Sequence, residues 1–518
     1  MPNGDNIKHL IVTLYGNRIG QLTIESGKYI FSYGGEKFSH PLSLSLPFGD
    51  LTRSQKKGFS GKYITDLPHY FENLLPEGWL LSIAKDMKIP QSNKLEILYH
   101  LCRDTMGAVS FEKEGSNDDT EEKSPLLKKT ESGVKVECRN CMICGKRLAY
   151  KGYNDGYHER CSLDVFGSEN PPGIGIDGQK LESLAMDQLS RSQSVTGAQV
   201  KLSLIYKDLA KTIQDPGLAY IIKPQMSDGD FSDLPVMEHI TMRFAERLGL
   251  VTAKTAVIIT AKGRSAFLTR RFDRESFGKL HCEDFSQASL TPKGDFDLKY
   301  LGSYELMGKI LEDPLIDPSR KRLSKENLFK SLIFNYLIGN TDAHLKNHSI
   351  IWDQKTGFFK LAPFYDLVPN KLYCGDTHDI GLKLKGSNII SKESLEYFAE
   401  RLSIDSSITY DFMEQFRSER TWFLSQMKCF GIKEHRIESM MDIVSQAFRK
   451  INSSSNPLQI PSEKKEMIDI STRDENATKK LFKYCQNPQG CENPKGPTRL
   501  KGIRKKLGIC SFCKPDIH

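Results

Sequence analysis

At 518 residues, 38% of them hydrophobic and 27% charged, the chain is too long for one core, and two to four globular domains are expected. A formal net charge of +8 permits anionic partners without establishing one, and no run of 18 apolar residues offers a membrane-spanning helix. The opening stretch MPNGDNIKHLIVTLYG has no charged region followed by a long apolar segment, so no secretory signal and a cytoplasmic location are expected.

Residues 6–33 read as short strands, HLIVTLYGNRIGQLTI and KYIFSY, β-branched or aromatic and alternating between turn residues. SLSLPF is a further β-like run. From Tyr70 to Leu101 the pattern turns helical, with Phe71, Leu74 and Leu75, and Pro76 at a helix start. These elements make a small β-rich domain over residues 1–112. Residues 113–136 are polar, charged and aperiodic and read as a linker.

The chain holds 12 cysteines, and eight of them fall in two clusters. In a reducing compartment clustered cysteines argue for metal rather than disulfides. The first cluster lies in an insertion over residues 137–167. Cys141-x2-Cys144 and His158-x2-Cys161 supply two ligands from a tight knuckle and two from a helix start, enough to close a tetrahedron around structural Zn²⁺. Asn154-Asp155-Gly156 is turn chemistry between the pairs, Cys138 competes with Cys141 as a ligand, and free thiols in a loop are the plain alternative. A four-ligand site leaves no open catalytic position.

Residues 180–302 carry strand-like segments, VKLSLIY, LAYIIKP, KTAVIIT and SAFLTRRF, interrupted by one helix from Pro235 to Leu248. Helices dominate from 303 to 451. The expected fold class is therefore α+β with a two-lobed core. Residues 452–475 form a second linker. The tail, 476–518, is basic, and its Cys485, Cys491, Cys510 and Cys513 offer a second, less regular zinc set. A basic zinc module can touch nucleic-acid phosphates or dock on protein, and the sequence favours neither.

The densest polar stretch is FNYLIGNTDAHLKNHSI, residues 334–350. A helix with Leu328, Leu332, Ile333, Tyr336 and Leu337 on its core face stops at Gly339, and Asp342 and Asn347 follow as Asp-x4-Asn. SIIW and FFKLAPFYDLV then read as a hairpin ending at Asp366. Phosphoryl transfer wants a carboxylate for the substrate hydroxyl and oxygen ligands for Mg²⁺ against nucleotide phosphates. Asp342 fits the base, and Asn347 and Asp366 the metal. Lys223, closing an apolar run in LAYIIKP, fits a phosphate clamp, and Glu238 on the neighbouring helix fits its partner. SVTGAQVK is a small-residue turn able to turn backbone N–H groups toward phosphate. Each has a bland reading as a turn, cap or surface residue; their order along the chain is that of a kinase.

These segments, with RFDR (Arg271 to Arg274), EDFSQ (Glu283 to Gln287) and LAPFYDL, resemble the HipA-like serine/threonine kinases, the toxin half of bacterial toxin–antitoxin modules. LSLSLPF, FENLLPEGW and GAVSF are similar to the small domain that precedes the family's kinase core. The resemblance implies a phosphoinositide-kinase-like two-lobed core, with the Cys/His modules added to it. It implies Asp342 as catalytic base, Asn347 and Asp366 on Mg²⁺, and Lys223 on the ATP phosphates. It further implies Glu283, Asp284 and Phe285 at the adenine hinge, His344 and Lys346 near the phosphates, and a phosphate loop of Thr196, Gly197, Ala198, Gln199 and Lys201. Ser194 falls at an autophosphorylated serine of the family. The implied partners are a translation-related protein substrate such as an aminoacyl-tRNA synthetase, and a separately encoded helix-turn-helix antitoxin that binds operator DNA. The chain departs from the pattern in its two cysteine segments and past Lys299-Tyr300, where LGSYELMGKI replaces a glycine-rich stretch. The competing readings are a catalytically silent kinase-fold regulator, whose zinc modules bind nucleic acid or a repressor, and a small-molecule kinase.

Overall fold

The structure, a computed structural model, describes residues 7–35, 37–48, 62–65, 67–76, 89–90, 92–102, 105–114, 126–127, 138–151, 153–171, 202–206, 218–225, 230–259, 264–275, 278–289, 298–374 and 377–452. Ser194, the segment Thr196 to Lys201, and the tail cysteines Cys485, Cys491, Cys510 and Cys513 lie outside these residues.

The first domain is an antiparallel sheet. Its strands are β1 (His9–Leu14), β2 (Asn17–Glu25), β3 (Lys28–Tyr33), β4 (Lys62–Thr65) and β5 (Val109–Glu112), in the order β4-β3-β2-β1-β5. Alternation puts Leu10, Val12 and Leu14 of β1 inside, where they meet Leu22, Phe31 and the helical residues Phe71, Leu95 and Leu98. The helices are α1 (His69–Glu72) and α2 (Lys94–Leu101); the Asn93 side chain caps α2 by accepting from the Leu95 N–H at 3.1 Å. SLSLPF, expected as a strand, is instead a tight turn closed by the Leu46 N–H to the Ser43 carbonyl at 3.0 Å. Pro41 just before it and Pro47 within it remove ladder donors, and its serines bond elsewhere.

The second sheet runs β6-β7-β8-β10-β9, with β6 (Leu126–Leu127), β7 (Leu202–Tyr206), β8 (Leu218–Pro224), β9 (Thr255–Ile259) and β10 (Ser265–Arg270). The β6 pair belongs to the segment read as a linker; it lies parallel on the edge of β7, an edge whose unpaired backbone groups would otherwise need water. The Cys/His segment ends in α3 (Glu159–Phe166) and is no detached bead. Its Ile143, Leu148, Tyr157, Val165 and Phe166 share one core with Tyr220, Ile222, Ile258 and Leu268 of this sheet. Across the other face lies α4 (Leu234–Arg247), with a proline in its first turn and Met237, Ile240 and Phe244 buried.

A short ribbon, β11 (Arg274–Glu275) with β12 (Gly278–Lys279), leads to β13 (Cys282–Asp284), which pairs with β14 (Ser349–Asp353), itself paired with β15 (Phe358–Leu361). This sheet stitches the strand-rich half to the helical half, so β13 lies with the second lobe's hairpin. The helices are α5 (Phe285–Ala288), α6 (Tyr304–Ile310), α7 (Lys321–Ile338), α8 (Lys371–Cys374), α9 (Lys392–Leu402), α10 (Ser407–Cys429) and α11 (Glu434–Asn452). The last ten residues of α7 include Phe329, Leu332, Ile333, Phe334, Leu337 and Ile338, all fully buried, which makes α7 the core helix of this lobe. Among the described residues no helix is long and apolar enough to cross a membrane.

Candidate active site

The polar loop hangs from the buried end of α7. Gly339 closes the helix in the left-handed region at φ 70°, and the Asn340 N–H reaches back to the Asn335 carbonyl at 2.7 Å. Asn340 then turns its own side chain into the loop, accepting the Asp342 N–H at 3.3 Å and donating to Asn335 Oδ1 at 2.9 Å. One turn of 3₁₀ helix, Leu345–Asn347, follows, and Asn347 Oδ1 accepts the His344 N–H at 3.1 Å. Asp342 therefore sits on a loop whose backbone is fastened before and after it. Its Oδ1 takes the Tyr300 hydroxyl, and the Tyr300 ring meets the His344 ring edge-on at 5.3 Å.

Gly381 supports the loop from beneath. A Cβ there would stand 2.7 Å from the Ala343 carbonyl oxygen and 3.0 Å from both the Ala343 nitrogen and the Thr341 oxygen. Sequence reasoning missed this residue; its only signal is a glycine inside the apolar alternation from Ile380 to Leu384.

Lys223 ends β8 and is buried, with its ammonium 2.6 Å from Glu238 Oε1 on α4 and 2.5 Å from Asp366 Oδ1. Burial alone would push this lysine's pKa down, but the Asp366 and Glu238 carboxylates outweigh it and hold the group charged, well above the ordinary lysine value. The other Asp366 oxygen accepts Asn347 Nδ2 at 2.8 Å. Asp366 holds φ 60°, a left-handed conformation that aspartate tolerates better than most residues, at a cost of order 1 kcal/mol. The sequence-predicted Lys223, Glu238, Asn347 and Asp366 thus form one connected polar chain, with Asp342 five residues before Asn347. Hard carboxylate and carboxamide oxygens suit Mg²⁺, and the Asp366 side chain, 40% exposed, is open to such an ion.

The residues expected at the hinge have partners in the first domain and in the β14 segment. Glu283 is fully buried and turns to the first domain: Ser43 Oγ donates to it at 2.5 Å and the Leu44 N–H at 3.0 Å. Burial pushes its pKa up to about 8 against those two donors. Phe285 is fully buried, its ring stacked 6.2 Å from His348, and its N–H donates to the His348 carbonyl. The Asp284 side chain caps α5. The Glu283 and Phe285 side chains are thus buried, one against the first domain and the other against His348. Lys346, expected near phosphates, donates to the Asn73 carbonyl at 3.1 Å.

RFDR works as a clamp. Asp273 accepts Arg271 Nη2 at 2.9 Å, Arg274 Nη1 at 2.7 Å and the Gly107 N–H at 2.9 Å, while both arginines donate to the Thr105 carbonyl at 3.0 Å. Together with Ser43, Ser45 and Asn73, this fastens the first domain to the lobe junction; Ser45 Oγ donates to the Gln287 carbonyl at 2.7 Å and Ser286 Oγ to Asn73 at 2.7 Å.

On the far side of the second sheet the ligand atoms of Cys141, Cys144, His158 and Cys161 all lie within 4.8 Å of one another. His158 Nε2 meets the Arg147 carbonyl at 3.1 Å, which makes it the protonated nitrogen and leaves the Nδ1 lone pair facing Cys144 Sγ at 3.3 Å. The His158 N–H points at Cys141 Sγ at 3.4 Å. Three soft sulfurs and an imidazole in this arrangement suit Zn²⁺. Cys138 stands outside the group, so Cys141 is the residue positioned as ligand.

Sequence models of two domains match the chain: the HipA N-terminal domain over residues 10–112 and the HipA-like C-terminal domain over 193–450. "Putative kinase Y4dM" of Sinorhizobium fredii is 26% identical over 79% of this chain and 90% of its own length. The serine/threonine-protein kinase toxin HipA of Shewanella oneidensis is 28% identical, over 35% of this chain and 44% of its own. A solved structure of the Shewanella oneidensis toxin–antitoxin system HipA, HipB and its operator DNA shares the fold at a TM-score of 0.53 and 18% identity, covering 85% of this chain and 96% of that one. The two domain models fall on the two regions that carry the sequence motifs and leave the Cys/His segment between them. The chain belongs to the HipA-like kinase family.

Proposed function

We propose that this protein is an ATP- and Mg²⁺-dependent serine/threonine kinase, the toxin of a toxin–antitoxin pair, with Asp342 as the base. The observation that carries the reading is the linked set Lys223, Glu238, Asp366 and Asn347, beside a loop that holds Asp342 apart from them. Lys223 reaches the nucleotide phosphates, and Glu238 keeps its ammonium charged and aimed. Asp342 orients the substrate hydroxyl and takes its proton as the hydroxyl oxygen attacks the γ-phosphorus and the bond to the β-phosphate oxygen breaks. Asn347 and Asp366 hold Mg²⁺, which when bound neutralises phosphate charge.

The protein substrate belongs to the translation machinery, an aminoacyl-tRNA synthetase being the family's precedent, and Ser194 is an autophosphorylation site. A separate helix-turn-helix antitoxin restrains the toxin and brings it to DNA. Structural zinc occupies the Cys141, Cys144, His158 and Cys161 group, and a second zinc the tail cysteines.

The test is transfer from γ-labelled ATP by the full chain beside Asp342→Ala, with intact mass on both. Labelled wild type and an unlabelled variant support the kinase. Nucleotide binding without transfer in either, lysate included, overturns it.

A further inference from the structure

The Cys/His knuckle is joined to the candidate active site through the backbone between its first two ligands. Between Cys141 and Cys144 stand Met142 and Ile143, and both of their carbonyls face inward. The Met142 carbonyl accepts the Val257 N–H of β9 at 3.0 Å. The Ile143 carbonyl meets Nε2 of His239 at 2.8 Å, and the His239 Nδ1 meets the Thr255 hydroxyl at 2.8 Å. His239 is fully buried on α4 and directly follows Glu238. Adjacent helical residues point about 100° apart. One side of α4 therefore holds the Lys223 ammonium while the next residue is tied to the knuckle.

The knuckle also grips the helical lobe. It packs so close to α10 that a Cβ on Gly145 would collide with the Gln426 side chain, and Asn140 Nδ2 donates to the Cys429 carbonyl at 3.0 Å. Phe430, just past α10, meets the His239 ring at 5.4 Å. The segment thus spans from β9 and α4 on one lobe to the end of α10 on the other. Residues 141–145 form a tight turn, with the Gly145 N–H on the Cys141 carbonyl at 2.9 Å and the Cys141 N–H on the Lys146 carbonyl at 2.8 Å, so ligands at Cys141 and Cys144 fix where the turn sits relative to His158 and Cys161.

We propose that Zn²⁺ held by Cys141, Cys144, His158 and Cys161 is a strut between the lobes that fixes α4, so that the Glu238–Lys223 pair, and with it nucleotide affinity, depends on the metal. The proposal rests on the zinc assignment given above and gives that ion a role in the phosphate site. Removing the metal lets the Met142 and Ile143 carbonyls drift from Val257 and His239. The helix then samples positions in which Glu238 no longer holds Lys223, and apparent affinity falls by the fraction of molecules so displaced.

The experiment compares full-length wild type, Cys161→Ser and Cys161→His, the last keeping four ligands. Three quantities are read: zinc content, amide exchange across residues 234–247, and affinity for a non-hydrolysable ATP analogue. The expected result is one zinc equivalent lost in Cys161→Ser, faster exchange in that helix, and nucleotide affinity weakened about tenfold. Cys161→His and zinc-reloaded wild type recover all three. Should Cys161→Ser not fold, wild type stripped by a chelator under native conditions takes its place. Loss of the zinc equivalent with unchanged exchange and affinity overturns the strut. Equal zinc in wild type and Cys161→Ser overturns the metal site itself. None of the three readouts needs phosphoryl transfer, so a wild type that binds nucleotide and transfers nothing defeats the kinase reading without obscuring this one.

Discussion

Lys223 and Asp366 lie 143 residues apart in the chain, yet the Lys223 ammonium stands 2.5 Å from the Asp366 carboxylate. One comes from the strand-rich lobe and the other from the segment after the β14–β15 hairpin, so this contact closes the cleft between lobes. Glu238, 1% exposed, ties the lysine to the fold as well, because removing the ammonium takes a cation away from a buried carboxylate. Lys223→Met should cost about 3 kcal/mol of unfolding free energy and abolish tight nucleotide binding. Adding Glu238→Leu should restore part of the stability and none of the binding. Urea midpoints with analogue titrations check both; a single variant as stable as wild type refutes the argument.

Glu283 ties its own pKa to the stability of the domain junction. Burial raises its folded pKa to about 8, above the unfolded value, so the folded state holds the extra proton between the two. Stability from this group is complete below the unfolded value and is lost as pH rises through about 8. Thermal unfolding of wild type should therefore fall between pH 5 and about 8.5 by more than in Glu283→Gln, whose amide carries no titration. Parallel curves for the two proteins would count against a protonated Glu283.

Gly381 predicts a defect confined to chemistry. In Gly381→Ala the added methyl presses on Ala343 and Thr341 backbone atoms, which flank Asp342. Turnover should drop by about 10²-fold from displacement of Asp342, while nucleotide affinity falls by less, since Lys223 and Glu238 lie on another lobe and Asn347 stands four residues beyond the point of contact. Single-turnover rates beside equilibrium binding make the comparison. Equal loss in both would mean the loop and the nucleotide site are not separable.

Asp273 should hold the first domain in place. Burial opposes its charge, but the Arg271 and Arg274 guanidiniums prevail and keep its pKa at about 2, so its contribution is present above the unfolded value and lost as pH falls through about 2. Asp273→Ala takes the buried carboxylate from two arginines and from the Gly107 N–H, at a cost of about 3–5 kcal/mol. Limited proteolysis should then cut between the first domain and the core sooner than in wild type. Unchanged cleavage would assign the clamp no role in docking.

Much of the site was legible because its signals are local. The helix ending at Gly339 shows in its apolar period and its glycine cap. Lys223 shows as a charge closing a β-branched run, and the hairpin from Ser349 to Leu361 as two strands around a turn. The Cys141, Cys144, His158 and Cys161 spacing is likewise a short-range pattern, and each pair is close whatever the rest of the chain does.

What the residue order by itself determined is therefore the set of elements and the chemistry borne at their ends. Only the tertiary structure decided which buried polar groups share partners. Glu283 meets Ser43 across 240 positions, Lys346 meets Asn73 across 273, and Ile143 meets His239 across 96. The partners of the Glu283 and Phe285 side chains are of this kind. A buried carboxylate or ring goes to whichever donor or cavity the packed domains bring to it, and that choice is made by long-range closure, which leaves no periodic mark in the chain.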